Sequence, residues 1–160
     1  MTFTNLFFKS SSATNSPNQV TSTTYTEIIG SKAEVQKVSS DSDLYYFFSF
    51  STCPYDASGY EKTRLHIKLQ RSNDNFSSNI VDVPNCNYNF STDTGGGSDL
   101  LYKNNNIFFI VQNTGNDSLR LVARSYGSNT RCYLHYTPHF DGVITYTNKY
   151  YYPTLIVKEI

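Results

Sequence analysis

A run of five apolar residues, Ile107 to Val111, most constrains how this 160-residue chain can fold. Three asparagines precede the run, and Gln112 and Asn113 follow it, so turn-forming residues close it on both sides. The run is too short for an ordinary helix, and its β-branched and aromatic residues favour a strand. We therefore predict a strand that is buried on both faces and lies at the centre of a sandwich of sheets.

Alternating segments predict the strands around it. Between Arg64 and Gln70, every second residue is apolar, which predicts a strand with Leu65, Ile67 and Leu69 facing the core. A second buried strand is predicted over residues 44–50. About ten short strands in all are separated by turn signals, and no helical period extends beyond one turn. The predicted fold class is all-β: an antiparallel two-sheet β-sandwich, jelly-roll-like, with an extended N-terminal arm.

The predicted arm covers residues 1–22, and a single β-sandwich domain covers residues 23–160. A polar Ser/Thr/Asn stretch in the arm follows a small apolar cluster, which consists of Phe3, Leu6, Phe7 and Phe8. Burial of these side chains would offset the entropy cost of ordering the arm, whereas a wholly polar tail would stay disordered. The arm would dock on its own domain or on a neighbouring subunit, and we predict the second, an assembly arm.

Two further predictions concern local structure. The short strand at Ile80 should stop at Pro84, and the segment from Asn85 to Ser98, which ends in three glycines, should be a mobile loop. The alternating pattern also predicts that His66 and His135 point outward.

Composition excludes several classes of function. The chain has 13 Lys and Arg against 13 Asp and Glu, and only 16% of its residues are charged, so we predict no nucleic-acid partner and no membrane partner. No run reaches transmembrane length, and we expect no signal peptide. Cys53, Cys86 and Cys132 are odd in number and lack metal-ligand spacing, which favours free buried thiols.

No motif predicts catalysis, a metal site or a cofactor. Asp93-Thr94-Gly95 matches the tripeptide of aspartic proteases, but polar residues precede it and no second copy is evident, so a turn is favoured. Asp93 and Asp99 lack the alternating ligands of a calcium loop. The three histidines and the cysteines have no context that favours acid–base or nucleophilic chemistry. We therefore expect a protein that is not an enzyme.

Tyrosine is the most suggestive residue type, with 14 copies in a chain rich in Ser, Thr and Asn, a composition typical of adaptable contact surfaces. Tyr150, Tyr151 and Tyr152 are consecutive, so they cannot all face the core of a regular strand. We predict that some of them contact a partner or a glycan.

A polar N-terminal arm, a jelly-roll-like body and charge-poor, Tyr-rich strands without catalytic motifs resemble the small structural proteins of virions. The families concerned are phage decoration, cement and fibre proteins and the minor capsid proteins of larger viruses. The resemblance implies a virion location and assembly with other copies and other virion proteins, often as a trimer. Two alternatives stay open: a carbohydrate-binding module or receptor-binding fibre domain that uses exposed tyrosines, and a hydrolase built on the sandwich.

Overall fold

A computed structural model describes residues 6–10, 18–20, 23–39, 41–55, 62–93, 103–112, 115–126, 131–140, 146–150 and 153–160. These residues form thirteen strands and no helix, which confirms the predicted all-β class. The strands are β1 (Leu6–Ser10), β2 (Asn18–Val20), β3 (Thr26–Glu27), β4 (Ala33–Glu34), β5 (Leu44–Tyr55), β6 (Lys62–Ser72), β7 (Ile80–Asp93), β8 (Lys103–Val111), β9 (Ser118–Ser125), β10 (Arg131–Leu134), β11 (Tyr136–Phe140), β12 (Tyr146–Tyr150) and β13 (Thr154–Glu159).

Two antiparallel sheets make the sandwich. In the first sheet, β5 pairs with β8 along one edge and with β13 and β10 along the other. Beyond these, β1 pairs with β13, and β2 pairs with β10. In the second sheet, the order is β7, β6, β9, and both β3 and β4 pair with the far edge of β9. A separate hairpin joins β11 to β12.

The strand order is that of a jelly roll. One sheet reads β1, β13, β5, β8 and the other reads β4, β9, β6, β7. From β4 to β9 the chain changes sheet at every connection except the hairpin between β6 and β7. This repeated crossing is how a jelly roll wraps two sheets around one core.

The core forms where the inner faces of the sheets meet. Every second residue of β5 is buried, from Leu44 through Tyr46 and Phe48 to Phe50. Opposite them, the β6 residues Leu65, Ile67 and Leu69 are fully buried, so the facing predicted from their alternation is confirmed. These residues belong to one buried cluster, and half of its other members come from β8, β9 and β13.

The predicted central strand is wrong. The segment Ile107–Val111 ends β8, which pairs with β5 alone among the described strands and therefore lies at a sheet edge. Its alternate residues are buried, but Phe108 is 65% exposed and Ile110 is 45% exposed. Its partner β5 has neighbours on both edges. An unbroken apolar run shows that both faces of a strand are apolar, and it does not show that both are covered.

The prediction of a loop after Pro84 is also wrong for residues 85–93, which belong to strand β7. Strand β7 continues for 14 residues through Pro84, and residues 94–98 lie outside the described part. Proline is tolerated because β7 is an edge strand whose outer N–H groups need no partner. Between Asp82 and Asn87 the pairing with β6 shifts, and Asn85 adopts a φ of 59° in this bulge.

An inserted hairpin interrupts the strand beside β5. Leu134 of β10 lies opposite Thr52, and Thr154 of β13 lies opposite Ser49, so β10 and β13 are two parts of one line along β5. The chain leaves this line at His135, which has a φ of 60° and donates its backbone N–H to Ser51 at 2.9 Å. His135 is 4% exposed, so its predicted outward orientation is wrong. His139 lies in β11.

Parts of the predicted arm belong to the first sheet of the same chain. Backbone pairing joins β1 to β13, from Leu6 opposite Lys158 to Ser10 opposite Thr154. Strand β2 pairs with β10, and Val20 is buried in the core. Phe3 lies outside the described residues, as do the side chains of Leu6, Phe7 and Phe8. Docking of residues 1–22 on a neighbouring subunit therefore stays a prediction.

Candidate functional site

The candidate catalytic residues do not come together in the part of the chain that the structure describes. Within that part, no three His, Cys, Asp or Glu residues form a group that could hold a metal ion. His66 and His135 have separate partners, the Tyr25 hydroxyl and the Ile29 carbonyl oxygen. Residues 94–99, which include most of the candidate aspartic-protease and calcium loop, lie outside the described residues.

The two cysteines with described side chains agree with the prediction of buried thiols. Cys86 and Cys132 are buried and form no disulfide, and burial raises the pKa of the Cys86 thiol, which disfavours the reactive thiolate. An open cleft beside Cys86 runs between β7 and β8. Its described lining contains no histidine and no carboxylate, so it offers no acid–base pair.

The predicted tyrosine contact stays a prediction. Tyr150 ends β12, where the backbone pairs it with Tyr136. Tyr151 and Tyr152 lie outside the described residues, as does the side chain of Tyr150.

The strongest candidate surface is apolar and lies on the outer side of the first sheet. Pairing across three strands aligns Phe108 of β8, Phe47 of β5 and Ile156 of β13 in one row. In the next row, Ile110 lies opposite Tyr45, and the Tyr45 ring stacks on Phe108 with centroids 6.4 Å apart. Phe108 and Ile110 are exposed, and the other three are half-buried. We call these five residues the apolar face.

The outward positions around the apolar face carry little charge, although Arg71 lines the same cleft as Phe108 and Ile110. Lys158, opposite Tyr45, is the only charged side chain among the described outward positions of β5, β8 and β13. The backbone of β1 extends the sheet on this side, with Phe8 opposite Ile156. An exposed apolar area of this kind on a protein surface typically marks an interaction site.

The outer side of the second sheet is different, because around Arg120 and Lys68 polar side chains satisfy one another. The Arg120 guanidinium donates to Glu27 at 3.0 Å and to the Gln70 amide oxygen at 3.2 Å. The Gln70 amide donates to Asp82 at 2.9 Å, and Lys68 pairs with the same carboxylate at 2.5 Å. The two outer surfaces of the sandwich therefore differ sharply in chemistry.

Sequence reasoning did not single out the apolar face as an exposed surface. Its residues come from three segments that are far apart in the chain, and two of these, residues 44–50 and 107–111, were predicted to be buried. Only the pairing of β8, β5 and β13 shows that their outward residues form one surface.

Fold and surface together define a jelly-roll β-sandwich with one apolar outer face. No protein-family model matches the sequence, and no curated protein matches it. Among the described residues, no helix is long and apolar enough to cross a membrane.

Proposed function

We propose that this chain is a non-enzymatic structural protein of a virion, of the capsid decoration, cement or minor capsid type. It assembles through protein–protein contacts of the apolar face. The observation that supports this function is the exposure of Phe108 and Ile110 beside three half-buried apolar residues on one sheet surface. Jelly rolls are common in viral capsid proteins, which fits the proposal at the level of the fold.

The partner that fits the apolar face is a second copy of this chain. Lys158 is the one charged side chain among the described outward positions of this surface, and Arg71 lies at its edge, so two copies can meet there without burying several like charges against each other. Two copies related by a twofold axis would each cover the row of Phe108, Phe47 and Ile156 of the other. A strongly charged partner would instead leave its own charges desolvated and unpaired.

The arm fits the same arrangement. Strand β1 borders the apolar face, because the backbone places Phe8 opposite Ile156. In this proposal, residues 1–22 complete the contact with the neighbouring subunit, and the apolar cluster of the arm joins the buried area between copies.

Size-exclusion chromatography with light scattering tests the proposal. We expect the wild-type chain to form a defined oligomer and the double variant Phe108→Ser with Ile110→Ser to dissociate into monomers with an unchanged far-UV circular dichroism spectrum. Val81→Ser is the matched control, because Val81 is 49% exposed but lies on β7 of the other sheet. A wild-type chain that is monomeric at every concentration would contradict the assembly function.

A second candidate is a carbohydrate-binding module or a receptor-binding fibre domain, since jelly rolls also occur in lectins. An exposed tyrosine favours it: Tyr126 is 53% exposed on the outer side of the second sheet. Tyr150, Tyr151 and Tyr152 remain the predicted contacts of this alternative.

A further inference from the structure

Two neighbouring rows of polar and aromatic residues lie at one end of the outer side of the second sheet. Opposed residues of antiparallel strands share a face, and the intervening Leu65 and Ile67 are fully buried, so these rows point outward. One row consists of Asn89, His66 and Arg124, and the next consists of Ser91, Arg64 and Tyr126. We call these six residues the aromatic–basic patch.

The exposed ring of the patch is held in place before any ligand arrives. The Tyr126 hydroxyl donates to the Asn89 side-chain oxygen at 3.0 Å. The His66 ring meets the Tyr126 ring edge to face, with centroids 6.4 Å apart. The Nδ1 atom of His66 shares a hydrogen bond with the Tyr25 hydroxyl. A fixed aromatic ring can stack on a ligand with little loss of side-chain entropy.

The patch carries positive charge that no described carboxylate balances by an ion pair, and the backbone places Lys62 opposite Asp93 in the row beyond Arg64. In the described part of the chain, neither Arg64 nor Arg124 has a carboxylate within ion-pair distance, whereas Lys68 and Arg120 on the same sheet each have one. The Arg124 guanidinium lies 5.7 Å from the Tyr126 ring centroid and 5.2 Å from that of Tyr25.

Two local observations agree with this unbalanced charge. The Nε atom of Arg124 is buried and has no hydrogen-bond partner among the described residues. Burial lowers the pKa of His66 and the charges of Arg124 and Lys68 lower it further, while the Asp82 carboxylate acts in the opposite direction.

We propose that the aromatic–basic patch binds an acidic saccharide. The carboxylate or sulfate group of the sugar pairs with Arg124 and Arg64, because arginine recognises planar and tetrahedral anions through several donors at once. The apolar side of a sugar ring stacks on Tyr126. The exposed side chains of Asn87, Asn89 and Ser91 surround the ring with donors and acceptors for sugar hydroxyls.

A nucleic acid fits the patch less well. Binding to a polyanion requires a stripe of cations along several phosphates, and the net charge of the chain is +0. The patch instead offers two arginines without an ion pair to any described carboxylate, one exposed ring and neutral hydrogen-bonding groups, which match one acidic sugar residue and its neighbours.

The test is isothermal titration calorimetry of the full chain with sialyllactose, with lactose as the uncharged counterpart and a short single-stranded oligonucleotide as the polyanion. We expect binding of sialyllactose and no measurable binding of the other two. Binding of lactose with equal affinity, tighter binding of the oligonucleotide, or no binding of any probe would each overturn the proposal.

Variants assign the contacts. Two single variants, Arg124→Gln and Arg64→Gln, should each weaken sialyllactose binding about 10-fold or more, because each removes charge-assisted hydrogen bonds. Tyr126→Ala should remove the stacking platform, whereas Tyr126→Phe keeps the ring and should retain most of the affinity. Lys103→Gln on β8 changes the net charge equally and should leave the affinity unchanged.

The Arg64→Gln variant keeps the proposal testable if Arg124→Gln fails to fold, and unchanged binding in both arginine variants would overturn it. The proposal does not depend on the assembly function, because the apolar face lies on the other sheet. A chain that binds sialyllactose as a monomer would support the patch while contradicting assembly.

Discussion

His135 should make the stability of this fold depend on pH in a range where few other groups titrate. Its ring meets the rings of Phe48 and Phe50 edge to face, with centroids 6.1 and 6.3 Å away. Its Nε2 lies 3.0 Å from the Ile29 carbonyl oxygen, so this nitrogen carries the proton and donates. The Nδ1 atom is buried without a hydrogen-bond partner among the described residues, so a second proton there would place a charge in apolar surroundings.

Burial therefore lowers the pKa of His135 from 6.5 to about 4, although the hydrogen bond to Ile29 acts in the opposite direction. Below its ordinary pKa the unfolded chain binds a proton that the folded chain does not yet bind. Stability must then fall as the pH decreases from about 6.5 towards about 4. With these two pKa values, the loss between about pH 7 and pH 5 is about 2 kcal/mol.

Urea unfolding at about pH 7, 6 and 5 measures this loss. His135→Asn is the informative variant, because asparagine tolerates the left-handed φ of 60° and does not titrate. We expect the variant to lose most of the pH dependence. His66→Asn is the control: burial also lowers the pKa of His66, but that ring lies on the outer side of the second sheet and should contribute less. Equal pH dependence in the wild type and His135→Asn would refute the reasoning.

Three further outcomes are expected. Phe109→Ala should lower the free energy of unfolding by about 3–5 kcal/mol and Phe108→Ala by less than about 1 kcal/mol, because only Phe109 faces the core. Equal losses in urea titrations would show that the assignment of inward and outward residues on β8 is wrong. Asp74→Asn should lower the urea midpoint near neutral pH by a margin that shrinks below about pH 4, because hydrogen bonds from Ser72 and Ser78 lower the pKa of Asp74. Deletion of residues 1–22 should reduce oligomerisation, and it should also cost some β signal and stability, because it removes β1, β2 and the buried Val20. Normal assembly of the deleted chain would refute the proposed role of the arm.

Strict alternation made part of the fold predictable. In the segment from Arg64 to Gln70, a one-residue shift would expose Leu65, Ile67 and Leu69 and bury the charged residues between them. A single arrangement therefore satisfies the pattern, and the structure has it. The all-β class followed from many segments of this length separated by turn residues.

The run Ile107–Val111 lacks such a constraint. Both of its faces are apolar, so either set of residues could face the core, and the pattern does not reveal whether a second layer covers the other face. The position of β8 at the sheet edge depends on which strands pair with β5, and that pairing joins residues more than fifty positions apart. Long-range pairing of this kind leaves no local signal in the sequence.

The buried His135 and the aromatic–basic patch were missed for related reasons. His135 follows an alternating strand that predicts an outward side chain, but the chain turns there with a positive φ to begin the inserted hairpin. Arg124 and Tyr126 are close to His66 only because β9 pairs with β6. Neither position has a motif that reports its surroundings.

The two outer surfaces of the sandwich suit two different roles at once. If copies of the chain meet through the apolar face of the first sheet, the second sheet is turned away from that contact, because the core separates the two. The aromatic–basic patch would then remain open on the outside of the assembly, and each copy would present one. Multiple copies held together raise the overall affinity for a surface that carries many acidic sugars, even where each single contact is weak. Assembly through Phe108 and sugar binding through Arg124 would therefore reinforce each other without sharing a residue.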